Sequence, residues 1–145
     1  MIRMLVATDG SPQGGKAVEL GARFARELKT VEVVLIHVGH VPSIVFAAAA
    51  GTGMVDFGGL EAAMEQAGQA ILDKGLQEFT EVGCAVTRCY RRGDPSAEIL
   101  SAARERNADL IIMGSRGLGR IGGLILGSVS ERVLCASHVP VLIVR

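Results

Sequence analysis

The sequence predicts an α/β fold, a doubly wound, five-stranded parallel sheet covered by helices on both faces. Three observations lead there. Apolar runs at 2–8, 31–38, 84–90, 108–113 and 139–144 alternate with segments that carry helix-start signals. The runs are nearly continuous in hydrophobicity, as strands covered on both faces are. Strands separated by helices close into a parallel sheet through right-handed crossovers.

Ile2 to Thr8 forms the first strand, and the "DGSP" after it places Ser11 as an N-cap with Pro12 at the first helical position. Leu20, Phe24 and Leu28, each four apart, give that helix its buried stripe. Val31 to Val38 ("VEVVLIHV") is the second strand, followed by a loop from Gly39 to about Gly59. A long helix runs from about Leu60 to Thr80, with Leu60, Met64, Ala67, Ile71 and Phe79 near one face. Cys84 to Tyr90 is the third strand, and Arg91-Arg92 form an exposed turn. Asp94 as cap and Pro95 behind it start a helix that reaches about Arg106. Ala108 to Met113 is the fourth strand, Ser128 to Ser137 the last helix and Val139 to Val144 the fifth strand. Without an internal repeat or linker, residues 1–145 read as a single domain.

Composition narrows the function. With 145 residues, 49% apolar and 21% charged, the chain has the balance of a globular protein with a real core. Fifteen Lys and Arg offset fifteen Asp and Glu, so no net field draws the chain to nucleic acid or to an anionic membrane. One Tyr, four Phe and no Trp leave little for a base-stacking surface. The three cysteines are odd in number and lack CxxC spacing; Cys84 and Cys89, five apart in a strand, point to opposite faces. They read as small buried hydrophobes in a reducing compartment rather than a disulfide or metal site.

Asp9 interrupts the apolar start too early for a signal peptide. Val33 to Val55 has no formal charge, yet His37, Gly39, His40, Pro42, Gly51, Thr52 and Gly53 interrupt it. It reads as a strand and an apolar loop rather than a membrane span, and the protein is expected in the cytoplasm. The loop "VPSIVFAAAAGTGMV" is too apolar to be fully solvated and leaves three readings open: a lid, a short packed helix or a contact surface.

Two strand orders are common for five such strands. In 2-1-3-4-5 the switch point lies between strands one and three; in 3-2-1-4-5, a Rossmann-like half-sheet, it lies between one and four. Six glycines fall in the fourteen positions 114–127, directly after strand four, which favours the second order. Asp9 at the end of strand one then faces the glycine loop across one crevice. A phospho-receiver of the first order needs an acid after strand three, where Tyr90 and Arg91 stand instead.

Three glycine templates overlap in that loop. Gly117, Gly119 and Gly122 satisfy GxGxxG, but the helix starts too late and no acid follows about twenty residues on to hold a ribose. Gly122 to Gly127 has Walker A spacing but is followed by Ser128 and Val129, without the phosphate-binding Lys. The third template is Gly114, two residues, Gly117, nine residues, then Gly127 and Ser128. It carries the chain out of a strand, around a ligand and into a helix whose first N–H groups favour an anion. Ser128 and Glu131 form S-x-x-E, a capping box that marks where the helix begins. Arg116 and Arg120 in the loop have two readings, phosphate neutralisation or simple solvation as surface-loop arginines. His37 near the crevice reads as packed or backbone-bonded rather than catalytic.

GxxG-x9-G[ST] after strand four resembles the nucleotide motif of the ATP-binding branch of the universal stress protein family. "VATDGS", "IHV", "GDPSAEI" and "LGSVSERVL…VPVLIVR" resemble the same family, so the likeness spans essentially the whole chain. The resemblance implies that Ala7, Thr8 and Asp9 match adenine and ribose contacts, and that Val38 packs on the adenine. It implies that Gly114, Gly117, Gly127, Ser128 and Val129, with Met113 just before them, match ribose and phosphate contacts. It further implies ATP as ligand. Mg²⁺ accompanies the triphosphate because few cationic side chains are fixed near it. Strand five ends the sheet as an apolar edge, which with the resemblance implies a homodimer through 139–144. The expected role is regulatory, read by an unidentified protein partner. A slow ATPase is the alternative, weakened by the missing Walker Lys and by the lack of an evident general base. A scaffold that binds no nucleotide is the third reading.

Overall fold

Unbroken apolar β-branched runs leave both faces of a strand to be buried, and the sheet satisfies both. The computed structural model describes residues 1–28, 30–41, 43–53, 56–116 and 126–145. In chain order the elements are β1 (Ile2–Ala7), α1 (Pro12–Glu27), β2 (Val31–Gly39), α2 (Ser43–Thr52) and α3 (Phe57–Gln77). Then follow β3 (Ala85–Arg92), α4 (Pro95–Glu105), β4 (Leu110–Gly114), α5 (Ser128–Ala136) and β5 (Val141–Val144). The strands form one sheet in the order β3-β2-β1-β4-β5, the order expected from the position of the glycine loop. Every pairing is parallel, with Ala7 level with Ile36 on one side and with Met113 on the other.

Alternation along the strands divides the core in two. Met4, Val6, Val33 and Leu35 face α1 and α3, packing with Ala17, Val18 and Leu72. Leu5, Ala7, Val34, Ile36, Ile111 and Met113 face the other way, against Ile99 and Ala102 of α4 and Val133 of α5. Cys84 packs on the first cluster and Cys89 lies in the second, on opposite faces as the spacing predicts. All three thiols are free, but only Cys89 is buried; Cys135 is exposed on α5, against the expectation of three buried cysteines.

The helix faces differ from the predicted stripes, and close packing is the reason. Gly14, Ala17, Val18, Gly21, Ala22 and Ala25 are the buried residues of α1. A β-carbon at Gly21 would come within 2.9 Å of Val6 Cγ2, so the helix axis approaches the sheet closer than large side chains allow. Leu20, Phe24 and Leu28 are only half-buried, with Phe24 and Leu28 flanking the core. In α3 the inward residues are Gly68, Leu72 and Gly75, with Phe79 buried just beyond the helix end, while Ala67 is exposed. Leu60, Met64 and Ile71 stand half-buried beside them.

Within the apolar segment after β2, Ser43–Thr52 is a helix, α2, one of the three readings left open, and Val45 on it is 52% exposed. One further expectation is corrected. Arg91 and Arg92 belong to β3, paired with Val38 and Gly39, and do not form a turn. Strand alternation sends Arg91 to the α4 side, where it pairs with Glu98 at 3.4 Å and with Glu105. Arg92 pairs with Glu61 of α3 at 2.8 Å. Asp94 caps α4, accepting from the Ala97 N–H at 3.0 Å and from the Ser96 hydroxyl at 2.5 Å. Those two donors hold its carboxyl below the ordinary Asp value.

The Arg91 guanidinium, helped by the Ser101 hydroxyl, brings the Glu105 carboxyl down from 4.5 to about 2. A depressed folded-state value stabilises above the unfolded value and loses that stabilisation as pH falls. The Glu105 contribution is therefore complete above about pH 4.5 and disappears as the pH approaches about 2. Glu105→Gln should flatten this part of the acid-unfolding curve, measured by circular dichroism between pH 5 and 2, and salt should shrink the difference because the pair is exposed.

Candidate functional site

β1 and β4 are neighbours in the sheet, but their chains continue to opposite faces, β1 into α1 and β4 towards α5. A crevice opens between such strands at their carboxyl ends. Its two walls are the turn Thr8–Ser11 and the segment Gly114–Arg116 with the start of α5.

The first wall is fixed by hydrogen bonds within the turn. Thr8 is buried, and its N–H donates to the Ile36 carbonyl at 3.0 Å. Its hydroxyl accepts from the Gly10 N–H at 3.3 Å, while Asp9 Oδ1 accepts from the Ser11 N–H at 3.0 Å. Gly10 has φ +81°, the left-handed conformation this tight turn needs. Ser11 is the N-cap of α1, its hydroxyl accepting from the Gly14 N–H at 3.0 Å. Capping thus falls to Ser11, and Asp9 closes the turn before it. His37, read as backbone-bonded, has Nδ1 2.9 Å from the Thr8 carbonyl.

The second wall is held through one buried serine that the sequence motifs passed over. Ser115 donates its N–H to the Val144 carbonyl at 2.7 Å. Its own carbonyl accepts from the Gly127 N–H at 2.7 Å and from the Ser130 hydroxyl at 2.9 Å. No spacing rule marks Ser115 or Ser130; their partnership depends on the loop returning to its own starting point. Gly127 would place a β-carbon 3.4 Å from the Arg116 Cα, so residues 116 and 127 stand side by side. Arg116 is exposed there. Gly117 and Arg120 lie outside the described residues.

The expected capping box does not form, because the helix cap falls one residue earlier. Gly127, not Ser128, is the N-cap of α5, and Ser128 is the first helical residue. A glycine has no side chain to cap with, so the first turn receives no acceptor from the cap position. The first N–H groups of a helix and its positive dipole end favour an anion where no side chain caps them. Glu131 is bound through its backbone, its N–H donating to the Gly127 carbonyl at 2.9 Å.

Four of the residues named from the sequence meet in one apolar group. Ala7, Met113, Val38 and Val129 all belong to, or pack against, the core cluster on the α4/α5 face. Gly114 follows at the end of β4, where a β-carbon would fall 2.8 Å from the Gln13 carbonyl carbon and 2.9 Å from its oxygen. That glycine seats the start of α1 against β4. Among the described residues no group of three His, Cys, Asp or Glu side chains is arranged to hold a metal ion. A separate groove of about 500 Å³ lies at the β3 edge, lined by Glu61, Glu65, Tyr90 and Arg92 among others, and includes none of the residues expected to contact a nucleotide.

The profile of the universal stress protein family matches residues 1–145. The chain is 34% identical over 146 residues to the universal stress protein YxiE of Bacillus subtilis, covering 99% of this chain and 98% of that one. It is 30% identical to universal stress protein MJ0577 of Methanocaldococcus jannaschii, whose solved structure superposes with a TM-score of 0.80 over 99% of this chain and 94% of that one. A universal stress protein crystallised with cAMP is 25% identical, with a TM-score of 0.72 over 99% and 97% of the two chains. Among the described residues no helix is long and apolar enough to cross a membrane.

Proposed function

This chain belongs to the universal stress protein family, and we propose that it is a regulatory module of that family's ATP-binding branch, holding an adenine nucleotide at the β1/β4 crevice. The observation that carries this reading is the start of α5: a glycine cap leaves the first turn open to an anion, directly beside the returning ends of the loop. The triphosphate rests on Gly127, Ser128 and Val129, with Gly114 and Gly117 as the motif's other two glycines and Arg116 beside Gly127. The adenine lies over Val38, with Ala7, Thr8 and Asp9 along the adenine and ribose and Met113 beneath. The relative bound to cAMP supports an adenine ligand, and Mg²⁺ accompanies ATP by neutralising phosphate charge.

Binding acts by favouring one state of the loop over another, and only through differential affinity for the two. A protein partner in the cytoplasm reads the difference. Strand β5 lies at the sheet edge with Val141–Val144 half-buried and no charge before Arg145, so a second copy pairs there. Sedimentation equilibrium should give about twice the 15.2 kDa chain mass; a monomer at all concentrations would remove the dimer from this reading.

The nucleotide is tested by calorimetry with ATP and Mg²⁺ after denaturing and refolding the protein to strip bound molecules. Saturable one-to-one binding is expected, with mass spectrometry of the stripped fraction giving the nucleotide carried from the cell. Absence of heat and of any released nucleotide would overturn it.

A further inference from the structure

His37 projects from β2 onto the α1/α3 side and bonds to a different strand's exit. Its Nδ1 lies 2.9 Å from the Thr8 carbonyl oxygen. A carbonyl can only accept, so Nδ1 carries the hydrogen and donates it. The peptide so gripped joins Thr8 to Asp9, and because a peptide is planar, fixing its carbonyl fixes the direction in which Asp9 leaves the strand.

The imidazole is itself held from behind. The Tyr90 ring of β3 stacks on it with centroids 6.1 Å apart and planes at 28°. Gly39 and Gly68 make room for that ring: a β-carbon at either would overlap Tyr90, and one at Gly68 would also come within 2.9 Å of His37 Cδ2. Among the described residues the Tyr90 hydroxyl has no hydrogen-bond partner, and it is the ring face that meets the imidazole. Three elements, β2, β3 and α3, thus converge on one imidazole whose polar contact is the crevice wall.

We propose that His37 is a positioning residue of the nucleotide crevice, clamping the Thr8 carbonyl so that the Thr8–Ser11 turn is already set when ligand arrives. This rests on the nucleotide reading above. It also predicts a property of the unliganded protein, which separates the two. An asparagine at 37 places an amide N–H near the position of Nδ1, whereas a glutamine places one near Nε2 and leucine offers none.

The experiment compares His37→Leu, His37→Asn and His37→Gln with the parent by ATP·Mg²⁺ calorimetry, thermal melting and hydrogen exchange of the Gly10 and Ser11 amides. His37→Leu and His37→Gln should bind about tenfold more weakly and exchange these amides faster, from the loss of one hydrogen bond. His37→Asn should restore both to within about threefold, whatever the melting temperatures of the three. Affinity that is unchanged in His37→Leu, or equally weak in His37→Asn and His37→Gln, overturns the proposal. A parent that binds no ATP overturns the nucleotide reading instead, and exchange alone then decides whether His37 clamps the turn. Should His37→Leu fail to fold, the contrast between the Asn and Gln variants decides the same question.

Discussion

Gly114→Ala should lower the melting temperature by about 6–12 °C, the equivalent of roughly 2–3 kcal/mol for a chain of this size. The cause is space rather than conformation. The added β-carbon would lie 2.8 Å from the Gln13 carbonyl carbon, 2.9 Å from its oxygen and 3.0 Å from its Cβ. Two of these atoms are main chain in the first turn of α1, so no rotamer change relieves the overlap. Relief requires α1 to lift from β4, and α1 lies across β1 and β4 with the small residues Ala17, Gly21 and Ala22 buried beneath it. Differential scanning calorimetry without nucleotide checks the prediction, because the loss is one of folding and not of a ligand contact. A melting temperature within 2 °C of the parent would mean that the start of α1 is not seated on the end of β4. A valine at 114 should be worse still, as its methyl groups enter the same main chain.

That result bears on how a glycine-rich stretch is read. The caps at Ser11 and Asp94 were legible because each side chain bonds within four residues, and the strand order with its crevice between β1 and β4 because the glycine loop follows the fourth strand. The roles of individual glycines were not. Gly114 and Gly127 belong to one spacing pattern, yet among the described residues a β-carbon collides with main chain at the first and meets nothing closer than 3.4 Å at the second. Spacing records that both are glycines and carries no information about what stands opposite them. The same gap explains the helix stripes. Leucine and phenylalanine at four-residue intervals attract attention as a buried face, but α1 and α3 meet the sheet through glycine and alanine, because the axis comes too close for larger side chains. Ser115 was hidden for a third reason, as its partner Ser130 lies 15 residues away and meets it only once the fold has formed; His37 was legible as a packed or backbone-bonded side chain, but its partner, 29 residues away, was not.

Gly127→Asp should move stability and binding in opposite directions. The backbone at 127 has φ −78° and ψ 158°, ordinary extended geometry that any residue adopts. A β-carbon there would lie 3.4 Å from the Arg116 Cα and the Ser115 carbonyl oxygen and 3.6 Å from the Ser130 hydroxyl, all ordinary contacts. Aspartate is a better N-cap than glycine, and its charge complements the positive end of α5, together worth about 0.5–1.5 kcal/mol. The melting temperature of the nucleotide-free protein should therefore rise by about 2–5 °C. The same carboxylate would occupy the N–H groups assigned to the phosphates and repel a triphosphate in a confined space. Affinity for ATP should fall about a hundredfold, near 2.7 kcal/mol, in calorimetry at matched ionic strength. Gly127→Ala separates the two effects: it adds the β-carbon without the charge, and its melting temperature should fall by no more than about 4 °C, because alanine is a poor cap. A sequence selected for stability alone would place Asp or Ser at this cap, so a gain in stability on Gly127→Asp coupled to a loss of binding is the signature of a cap left for a ligand. If Gly127→Asp melts higher and still binds ATP as the parent does, the phosphates lie elsewhere and the start of α5 is not their site.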